Sequence, residues 1–402
     1  MISTDFAPNE KRDDALTAFT LSFFPWKWKR GVDQKKIKTK IESLFPSWSS
    51  VLFFSGRSAL FHLLKELHLP QKSSVLVQAF TCSAVVVPII ELQMSPVYID
   101  IEPLTYSMDI KSLQSRVTSA SKVVILQHSF GMAPKHRSAI MKLCEEKSLI
   151  LIEDLSHGYE SVRIQNNRFI SDNHFLLLSF GRSKSLSSVF GGAVLSKKTE
   201  FIHELNRISS HLPNPSYLML FRLLLFKMFS VIIQFTYELG VGKILFGMWR
   251  RTPFFIPELS QKEKRGKFDF HSIDYSFSNA QAILLQTQLE NKSTIDRQRI
   301  NRSTQYQHLF HTLYSLTTPL IRFPLCVLNR KILLNEMKKN HIFLGTWYSQ
   351  PVVPKEVSME SVLYQLGSCP VAEEICSKIV NFPTSISQAQ ADKIIALIKK
   401  HI

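Results

Sequence analysis

The chain is poor in glycine, proline and cysteine, and each shortage excludes a class of protein. Its 402 residues include 13 glycines, 18 prolines and five cysteines. So few glycines and prolines exclude collagen-like and low-complexity sequence, and they make each glycine motif more informative. The cysteines are odd in number and widely spaced, without the short pairs typical of zinc knuckles or redox dithiols, so we predict no metal site.

Features of secreted proteins are also scarce. The first residues include acidic side chains, and no continuous apolar core precedes Ala18, so we expect no secretory signal. The low cysteine content fits a reducing compartment. We therefore predict a cytoplasmic protein, and the apolar segment 216–248 leaves membrane association open.

What the chain has in quantity is apolar surface and positive charge. Hydrophobic residues make up 45% of the sequence and aromatic residues 11%, which is enough apolar surface for folding. The 49 Lys and Arg residues outnumber the 32 Asp and Glu residues, and the resulting net charge of +17 calls for an anionic partner. Because these cations are dispersed and no helix-turn-helix, zinc or base-stacking motif accompanies them, we expect no nucleic acid partner.

The length predicts two packed units, because one hydrophobic core supports about 250–300 residues at most. We predict an N-terminal segment over residues 1–45, a large domain over 46–268 and a small α+β domain over 269–402. In the large domain, short apolar runs alternate with helical stretches, which predicts an α/β fold with a mostly parallel sheet flanked by helices. The predicted strands are 75–77, 96–99, 122–126, 149–152, 175–179 and 379–383, and the predicted helices are 58–68, 137–147, 278–314 and 388–401.

Residues 203–268 differ from their surroundings and form a predicted apolar, amphipathic insertion. The stretch 216–235 resembles a membrane segment, but charged and polar residues interrupt it. At about 100° per residue, Lys227, Gln234 and Glu238 fall on one side of a helix. Three interpretations stay open: the helix packs on the protein or a twin subunit, lies in a membrane interface, or spans the membrane. Cations within the helix disfavour spanning.

A lysine on a loop is the first candidate for chemistry. Lys184 stands five residues after the apolar run 175–179, and Gly191-Gly192 follow it. An amine that forms a Schiff base must be presented at a sheet edge, and glycines let the backbone approach a flat ligand. Taken alone, a loop lysine is more often a solvated charge, so Lys184 needs support from other residues.

A carboxylate at a strand end is the second candidate. The run 149–152 leads directly into Glu153-Asp154. A carboxylate buried there is costly unless a cation meets it, and a pyridinium nitrogen is such a cation. The alternative for Asp154 is a helix N-cap. For His157, three residues further on, the alternative is a surface histidine or one with satisfied hydrogen bonds.

A third candidate is the turn Ser55-Gly56-Arg57-Ser58, which joins an apolar run to a helix. Backbone N–H groups at a helix start, together with a serine hydroxyl, form a site for phosphate.

In their order and spacing these motifs resemble the DegT/StrS-type aminotransferases, which are sugar-nucleotide aminotransferases of the fold type I class that use pyridoxal 5'-phosphate. The resemblance covers most of the chain. It is carried by residues 55–58, 79–82, 95–101, 127–131, 152–157, 179–184, 191–192, 278–282, 371–374 and 381–384.

The resemblance implies roles for the candidate residues. Lys184 would form the Schiff base with pyridoxal phosphate and then move the proton between substrate and cofactor. Asp154 would pair with the pyridinium nitrogen, and His157 would lie near the cofactor hydroxyl. Cys82 stands where the family usually has an aromatic ring stacked on the cofactor. The phosphate would be bound by Ser179 with the turn of Gly56, Arg57 and Ser58.

The chain also departs from the family pattern. Asp274 stands in the segment that reaches across the family's dimer, and an aspartate cannot donate to a phosphate, so Arg57 or Arg182 becomes the candidate cation. The segment 345–348 lacks the His-Tyr pair often found near the sugar, so an unusual acceptor is left open. The candidate substrate residues are His128, Arg182 and Tyr348.

The function implied by the resemblance is transamination from an amino acid, with glutamate as the expected donor, to a keto sugar attached to a nucleotide, in surface glycan or related sugar biosynthesis. The expected assembly is a homodimer. The family's dehydratases replace the lysine with histidine, so Lys184 argues against that branch. The alternative is an inactive protein of this fold that serves as a scaffold at a membrane or glycan-assembly site.

Overall fold

A computed structural model describes residues 1–161, 172–312 and 318–399. The strands are β1 (Ile2–Ser3), β2 (Ser49–Phe53), β3 (Ser74–Gln78), β4 (Thr81–Cys82), β5 (Ser95–Ile99), β6 (Ser121–Gln127), β7 (Ile150–Asp154), β8 (His174–Ser179), β9 (Gly192–Ser196), β10 (Arg322–Cys326), β11 (Ile342–Phe343), β12 (Val352–Val353) and β13 (Ile379–Pro383).

Helices cover the sheets and connect the strands. They are α1 (Arg12–Ser22), α2 (Asp33–Leu44), α3 (Gly56–Glu66), α4 (Ser83–Glu91), α5 (Ile110–Arg116), α6 (Arg137–Glu146), α7 (Thr199–His211), α8 (Tyr217–Thr236), α9 (Val241–Trp249), α10 (Phe270–Ile273), α11 (Asn279–Glu290), α12 (Lys292–Phe310), α13 (Arg330–Lys339), α14 (Pro370–Lys378) and α15 (Gln388–Lys399).

The central sheet has seven strands in the order β2-β9-β8-β7-β6-β3-β5. Strand β9 runs antiparallel to both of its neighbours, and the other pairings are parallel. Its central strands are buried on both faces, because Val75 and Val77 pack in one core while Leu76 packs in another. This is the reason that the strands read as continuous apolar runs. The predicted α/β fold with a mostly parallel sheet is confirmed.

The register of β9 brings together two of the candidate motifs. Gly192 pairs with Phe53 at the end of β2 and with Ser179 at the end of β8. The turn that follows β2 therefore lies beside the end of β8. Strand β7 runs parallel to β8 and ends next to the end of β8, so that Asp154 lies at the same edge of the sheet.

Most predicted elements are confirmed, but the helix predicted over 278–314 is wrong in one respect. The structure has two helices, α11 and α12, which meet at Asn291. Asparagine is a poor residue in helix interiors and a good one at their ends, because its short side chain competes for backbone hydrogen bonds. Residues 313–314 and 400–401 of the two C-terminal helix predictions lie outside the described residues.

The two ends of the chain pack together. Strand β1 pairs in parallel with β11, and the antiparallel pair β10–β13 forms a second small sheet. Helix α2 packs on α11, and α1 packs on both α11 and α8. The predicted N-terminal segment 1–45 is thus held by residues from the predicted large and small domains, and the domain boundaries stay a prediction.

The predicted insertion contains α8 and α9, and Lys227 and Gln234 of its polar stripe face the protein interior, whereas Glu238 is exposed. The Lys227 side chain has no exposed surface; its Nζ lies 2.5 Å from Glu10 Oε2 and donates to the Ser187 carbonyl at 2.7 Å. Gln234 donates to the carbonyls of Phe6 and Ala7. The helix therefore packs on its own chain through a side on which these polar residues stand among buried apolar ones such as Leu220, Leu223 and Phe226.

Candidate active site

A cavity of about 490 Å³ opens at the carboxyl ends of β7 and β8. Residues from the start of the chain, from the insertion and from the C-terminal part complete its walls. Nine of the predicted site residues line it: Gly56, Arg57, Cys82, Asp154, His157, Ser179, Arg182, Lys184 and Tyr348.

Lys184 stands on a tight loop after β8. Its backbone N–H donates to the Gly181 carbonyl at 3.0 Å, and the Asn9 side-chain amide donates to the Lys184 carbonyl. Arg299 holds the next residue by donating to the Ser185 carbonyl at 2.9 Å. The loop is thus fixed from two sides, while the Lys184 ammonium points into the cavity and lies 5.1 Å from the centre of the Trp347 ring.

Asp154 is the last residue of β7 and is buried. One of its carboxylate oxygens, Oδ1, accepts the Ser156 N–H at 3.0 Å. Side chains alternate along a strand, so Asp154 lines the cavity while Glu153 points to the opposite side. A buried carboxylate at a cavity wall is suited to bind a cationic group of a ligand.

His157 is almost fully buried, so the interpretation as a surface histidine is wrong. Its Nδ1 accepts the Phe130 N–H at 3.1 Å, which leaves the proton on Nε2 to be shared with the Tyr348 hydroxyl at 3.0 Å. Burial, reinforced by the positive charges of Lys184 and Arg322, holds the pKa of His157 well below its usual value. The imidazole is therefore neutral.

The predicted phosphate turn begins α3. The Ser55 hydroxyl accepts the Ser58 N–H at 3.1 Å and caps the helix. A Cβ on Gly192 would lie 2.6 Å from the Gly56 N and Cα atoms, and a Cβ on Gly56 would lie 2.9 Å from Ser179 Oγ. This close approach requires glycine at both positions, and it brings the Ser179 hydroxyl to the N-terminus of α3.

The Ser58 side chain requires a correction. It does not line the cavity; its hydroxyl donates to Asp274 Oδ1 at 2.8 Å. His62 Nε2 lies 2.8 Å from the same oxygen. Burial alone would raise the pKa of Asp274, but the hydrogen bonds from His62 and Ser58 lower it below its usual value. An anionic Asp274 thus takes the hydroxyl that was predicted to bind phosphate.

Arg57 lines the cavity as predicted, but its charge is already paired. Its Nη1 forms an ion pair with Glu263, which is buried, and its Nη2 donates to the Glu258 carbonyl at 3.0 Å. The sequence did not indicate this partner, which lies 206 residues away. The predicted role of Arg57 as a free cation for the phosphate is therefore corrected.

His128 is the second predicted residue that lies outside the cavity. Its Nε2 lies 2.7 Å from Glu153 Oε2, and its Nδ1 lies 2.7 Å from the Ser161 hydroxyl. Burial alone would raise the pKa of Glu153, but hydrogen bonds from Arg137, His128 and His174 hold it well below its usual value. His128 belongs to this buried network, and its predicted substrate contact is corrected.

Arg182 and Tyr348 line the cavity, and both side chains already have partners within the protein. Arg182 Nη1 donates to the Ile256 carbonyl at 2.8 Å, and its guanidinium lies 5.1 Å from the centre of the Phe226 ring. Burial lowers the pKa of Arg182 and raises that of Tyr348 well above its usual value. A substrate contact for either residue stays a prediction.

Sequence reasoning missed Trp347, which lies beside Lys184 and lines the cavity, and Arg322, which packs on Trp347 and does not line the cavity. The Trp347 ring stacks on the His157 imidazole with ring centres 5.1 Å apart, and its other neighbour is the Arg322 guanidinium, 3.2 Å from the indole centre. Arg322 is fully buried and pairs with Asp5, yet its Nε and Nη2 have no hydrogen-bond partner within the described residues. An arginine in the apolar strand β10 was the available signal.

The comparison with family models decides the family. The model of the DegT/DnrJ/EryC1/StrS aminotransferase family matches residues 20–215 and 258–399. This chain belongs to that family. The matched ranges leave out residues 216–257, which contain α8 and α9.

Three known proteins illustrate the similarity. The chain is 26% identical over 207 residues to the UDP-N-acetyl-3-dehydro-alpha-D-glucosamine 3-aminotransferase of Acidithiobacillus ferrooxidans, a match over 51% of this chain and 55% of the relative. The match thus spans about half the length of that relative. Among solved structures, Helicobacter pylori PseC, an aminotransferase involved in the biosynthesis of pseudoaminic acid, superposes with a TM-score of 0.72 at 16% identity over 98% of both chains.

The third is the putative sugar aminotransferase Spr1654 from Streptococcus pneumoniae in its PLP form, with a TM-score of 0.72 at 17% identity over 98% of both chains. At such identities the structures establish the fold alone. Together with the family match, they confirm the predicted family, its fold, an enzyme of the aminotransferase class and pyridoxal phosphate as the family's cofactor.

The residues in the cavity fit that cofactor. An amine, Lys184, and a buried carboxylate, Asp154, line one cavity. Because Gly56 and Gly192 approach each other closely, the backbone N–H groups at the N-terminus of α3 lie beside the Ser179 hydroxyl. Such a helix N-terminus is a site for a phosphate group. The described residues contain no cluster of metal-binding side chains.

Proposed function

We propose that this protein is a pyridoxal-phosphate-dependent aminotransferase that moves an amino group from an amino acid to a keto sugar attached to a nucleotide. The observation that carries the proposal is the placement of Lys184 and Asp154 in one cavity beside the glycine-lined turn. Glutamate as the donor and a role in surface glycan synthesis are supported by the family resemblance. The relative named for a UDP-linked sugar supports a nucleotide-linked acceptor.

The chemistry divides between cofactor and chain. When bound, pyridoxal phosphate supplies an electron sink for the negative charge that develops on the substrate carbon. Lys184 supplies the amine that binds the cofactor and the base that moves the proton from and to that carbon. Asp154 would pair with the ring nitrogen, and the N–H groups at the start of α3 with Ser179 would hold the phosphate.

The neutral His157 and the Tyr348 hydroxyl form a hydrogen-bonded pair at the cavity wall. Because His157 Nδ1 is fixed by a backbone N–H, the pair has one orientation, with Nε2 as the donor. We propose that it positions the cofactor hydroxyl. The ring takes up no second proton at neutral pH, since the pKa of His157 lies well below its usual value, so Nδ1 remains the acceptor of the Phe130 N–H.

The donor's carboxylate needs a cation near Lys184, and we propose Arg322 for this role. Its guanidinium retains N–H groups without hydrogen-bond partners among the described residues, and a carboxylate would satisfy them. The Trp347 indole lies over the guanidinium. Entry of a donor therefore requires the indole to move aside, which makes Trp347 a neighbour of the substrate in this proposal.

The first test is binding of the cofactor. Purified protein mixed with pyridoxal phosphate should show the visible absorption of lysine-bound cofactor, and Lys184→Ala should abolish it. Lys198→Ala, which changes an exposed lysine near the end of β9, is the matched control and should bind as the unchanged protein does. A protein that never binds pyridoxal phosphate would leave the scaffold alternative in place of the enzyme.

The assembly and compartment are further parts of the proposal. A homodimer is supported by the family resemblance, and a mass twice the 46.2 kDa of the chain in light scattering would establish it. A cytoplasmic location is supported by the five cysteines, all of which are free. The membrane contact predicted for residues 216–248 depends on the exposed surface of the insertion and not on the active site, so it is a separate proposal.

A further inference from the structure

Helix α8 is apolar on most of its circumference, and its buried side holds Leu223 and Phe226 together with Lys227. Its polar stripe is buried, while Leu218, Ile232 and Phe235 on the opposite side are 57%, 48% and 61% exposed. At about 100° per residue, the outward half of the helix contains only apolar and aromatic side chains except Arg222 at its margin and Thr236 at its end. A helix of a soluble protein normally turns this side toward the core.

The apolar surface continues onto the two neighbouring helices. Helices α1 and α9 both pack on α8. We define the apolar face as the exposed hydrophobic side chains of residues 16–26 and 217–248. It holds 12 of the 21 exposed large hydrophobic side chains of the described chain: Leu16, Phe19, Phe23, Trp26, Tyr217, Leu218, Ile232, Phe235, Leu239, Val241, Ile244 and Met248. Such clustering marks an interaction site, since isolated exposed hydrophobics are usually scattered.

Positive charges border the apolar face. The exposed cations in its segments and at their ends are Arg12, Lys27, Arg30, Lys243, Arg250 and Arg251, against the exposed acids Asp13 and Glu238. Several cations lie directly on the aromatic rings, as Arg12 does 4.9 Å from the centre of the Phe235 ring. An apolar centre with a cationic rim complements a bilayer with anionic head groups. A second copy docked by the same face would bring like charges together.

We propose that the apolar face docks on an anionic membrane surface, with α8 lying in the plane of the interface. Among the described residues, α8 is the one helix long and apolar enough to cross a membrane. Of its most apolar 18-residue stretch, 44% is buried inside the protein. Crossing would break the Lys227 pair with Glu10 and place the ammonium in hydrocarbon, which is costly. Lying in the interface keeps every inward contact of α8.

Docking would also bring the cavity close to the membrane. Phe226, on the inward side of α8, and Arg250, after α9, both line the cavity. The helices that carry the apolar face therefore form part of the cavity wall. The family match does not include α8 and α9, so most of the apolar face, all of it except Phe23 and Trp26, comes from parts of the chain that the family model leaves out.

Vesicle sedimentation with the full chain loaded with pyridoxal phosphate tests the proposal. Vesicles of phosphatidylglycerol and phosphatidylcholine should retain the protein, vesicles of phosphatidylcholine alone should retain much less, and high salt should weaken the binding. The double variant Ile232→Asp, Phe235→Asp should bind anionic vesicles at least about tenfold more weakly, because it places two carboxylates in the centre of the face.

The matched control is Leu328→Asp, Leu366→Asp, which changes two residues that are 90% and 69% exposed and lie outside the face. Both double variants should keep the absorption of bound cofactor, which reports an intact cavity. Equal vesicle binding by the two double variants would overturn the proposal. The proposal would also be overturned if the protein bound no vesicles and formed a dimer that the double variant Ile232→Asp, Phe235→Asp dissociates. The face would then bind a second copy of the chain.

Discussion

The contact between Gly192 and Gly56 gives the sharpest prediction about the cofactor site. Alanine at position 192 would place a Cβ 2.6 Å from the Gly56 N and Cα atoms, whereas ordinary contacts begin at 3.4 Å. The two backbones would have to separate by about 0.8 Å, since neither atom belongs to a flexible side chain. That movement displaces the first N–H groups of α3 from the Ser179 hydroxyl.

The cost follows from the same geometry. Forcing an extra carbon into a packed site costs about 1–3 kcal/mol, which corresponds to a change of about 5- to 140-fold in an equilibrium constant. We expect Gly192→Ala to lower the free energy of unfolding by this amount. We expect the Kd for pyridoxal phosphate to rise at least about fivefold, because the turn that holds the phosphate has moved.

The assay is a titration of the protein with pyridoxal phosphate, followed by the visible absorption of the bound cofactor. Gly247→Ala is the matched control, because a Cβ there meets nothing within 4 Å and the residue lies in helix α9. Urea unfolding of both variants reports stability. If Gly192→Ala bound pyridoxal phosphate as tightly as Gly247→Ala does, the turn would not be the phosphate site.

Three further predictions concern buried charges. Lys227→Met should lower the free energy of unfolding by about 3–5 kcal/mol, because the buried carboxyl groups of Glu10 and Asp14 would lose their cationic partner; urea unfolding against Lys198→Met, an exposed change, measures this, and a loss below about 1 kcal/mol would contradict it. Burial raises the pKa of Glu10 from 4.5 to about 7. The folded state then binds more protons than the unfolded state between these values, so stability should fall as pH rises from 4.5 to 7. Glu10→Gln should flatten this dependence in unfolding curves at several pH values, and an unchanged slope would refute the assignment. Finally, Arg322→Lys should raise the KM for the amino donor by about tenfold or more, with little effect on the Kd for pyridoxal phosphate, because a lysine lacks the paired N–H geometry; an unchanged donor KM would remove Arg322 from the substrate site.

The sequence was sufficient to predict the sheet and the centre of the site. The strands are buried on both faces, so their apolar runs are unbroken, and ligand-binding residues follow the strand ends. Asp154 stands two residues after such a run, and Lys184 stands five residues after another. Their positions follow from local sequence and from the strand order, and the cavity contains both.

The misplaced residues depend on contacts between distant parts of the chain. Ser58 is turned away by Asp274, 216 residues further on, and Arg57 is held by Glu263. His128 forms a hydrogen bond with Glu153 on the neighbouring strand. A motif shows which residue begins a helix or follows a strand, but its side-chain partner is set by tertiary packing.

The orientation of α8 could not be predicted for the same reason. A helical wheel separates the polar stripe from the apolar side, and either side can be buried if partners exist. The partners of Lys227 are Glu10 and Asp14, which lie more than 200 residues earlier. Once two carboxylates are buried at that position, the lysine has to face inward beside the buried leucines of the helix, and Leu218, Ile232 and Phe235 face out.

The two halves of the amino transfer test the central claim most directly. Protein loaded with pyridoxal phosphate is first treated with glutamate, freed of small molecules, and then given nucleotide-linked keto sugars. The account predicts loss of the visible absorption of lysine-bound cofactor in the first step, its return in the second, and one equivalent of amino sugar per active site by mass spectrometry. Lys184→Ala should show neither change. A loaded protein whose absorption no amino donor alters, or that returns amine to no keto sugar, would contradict the account.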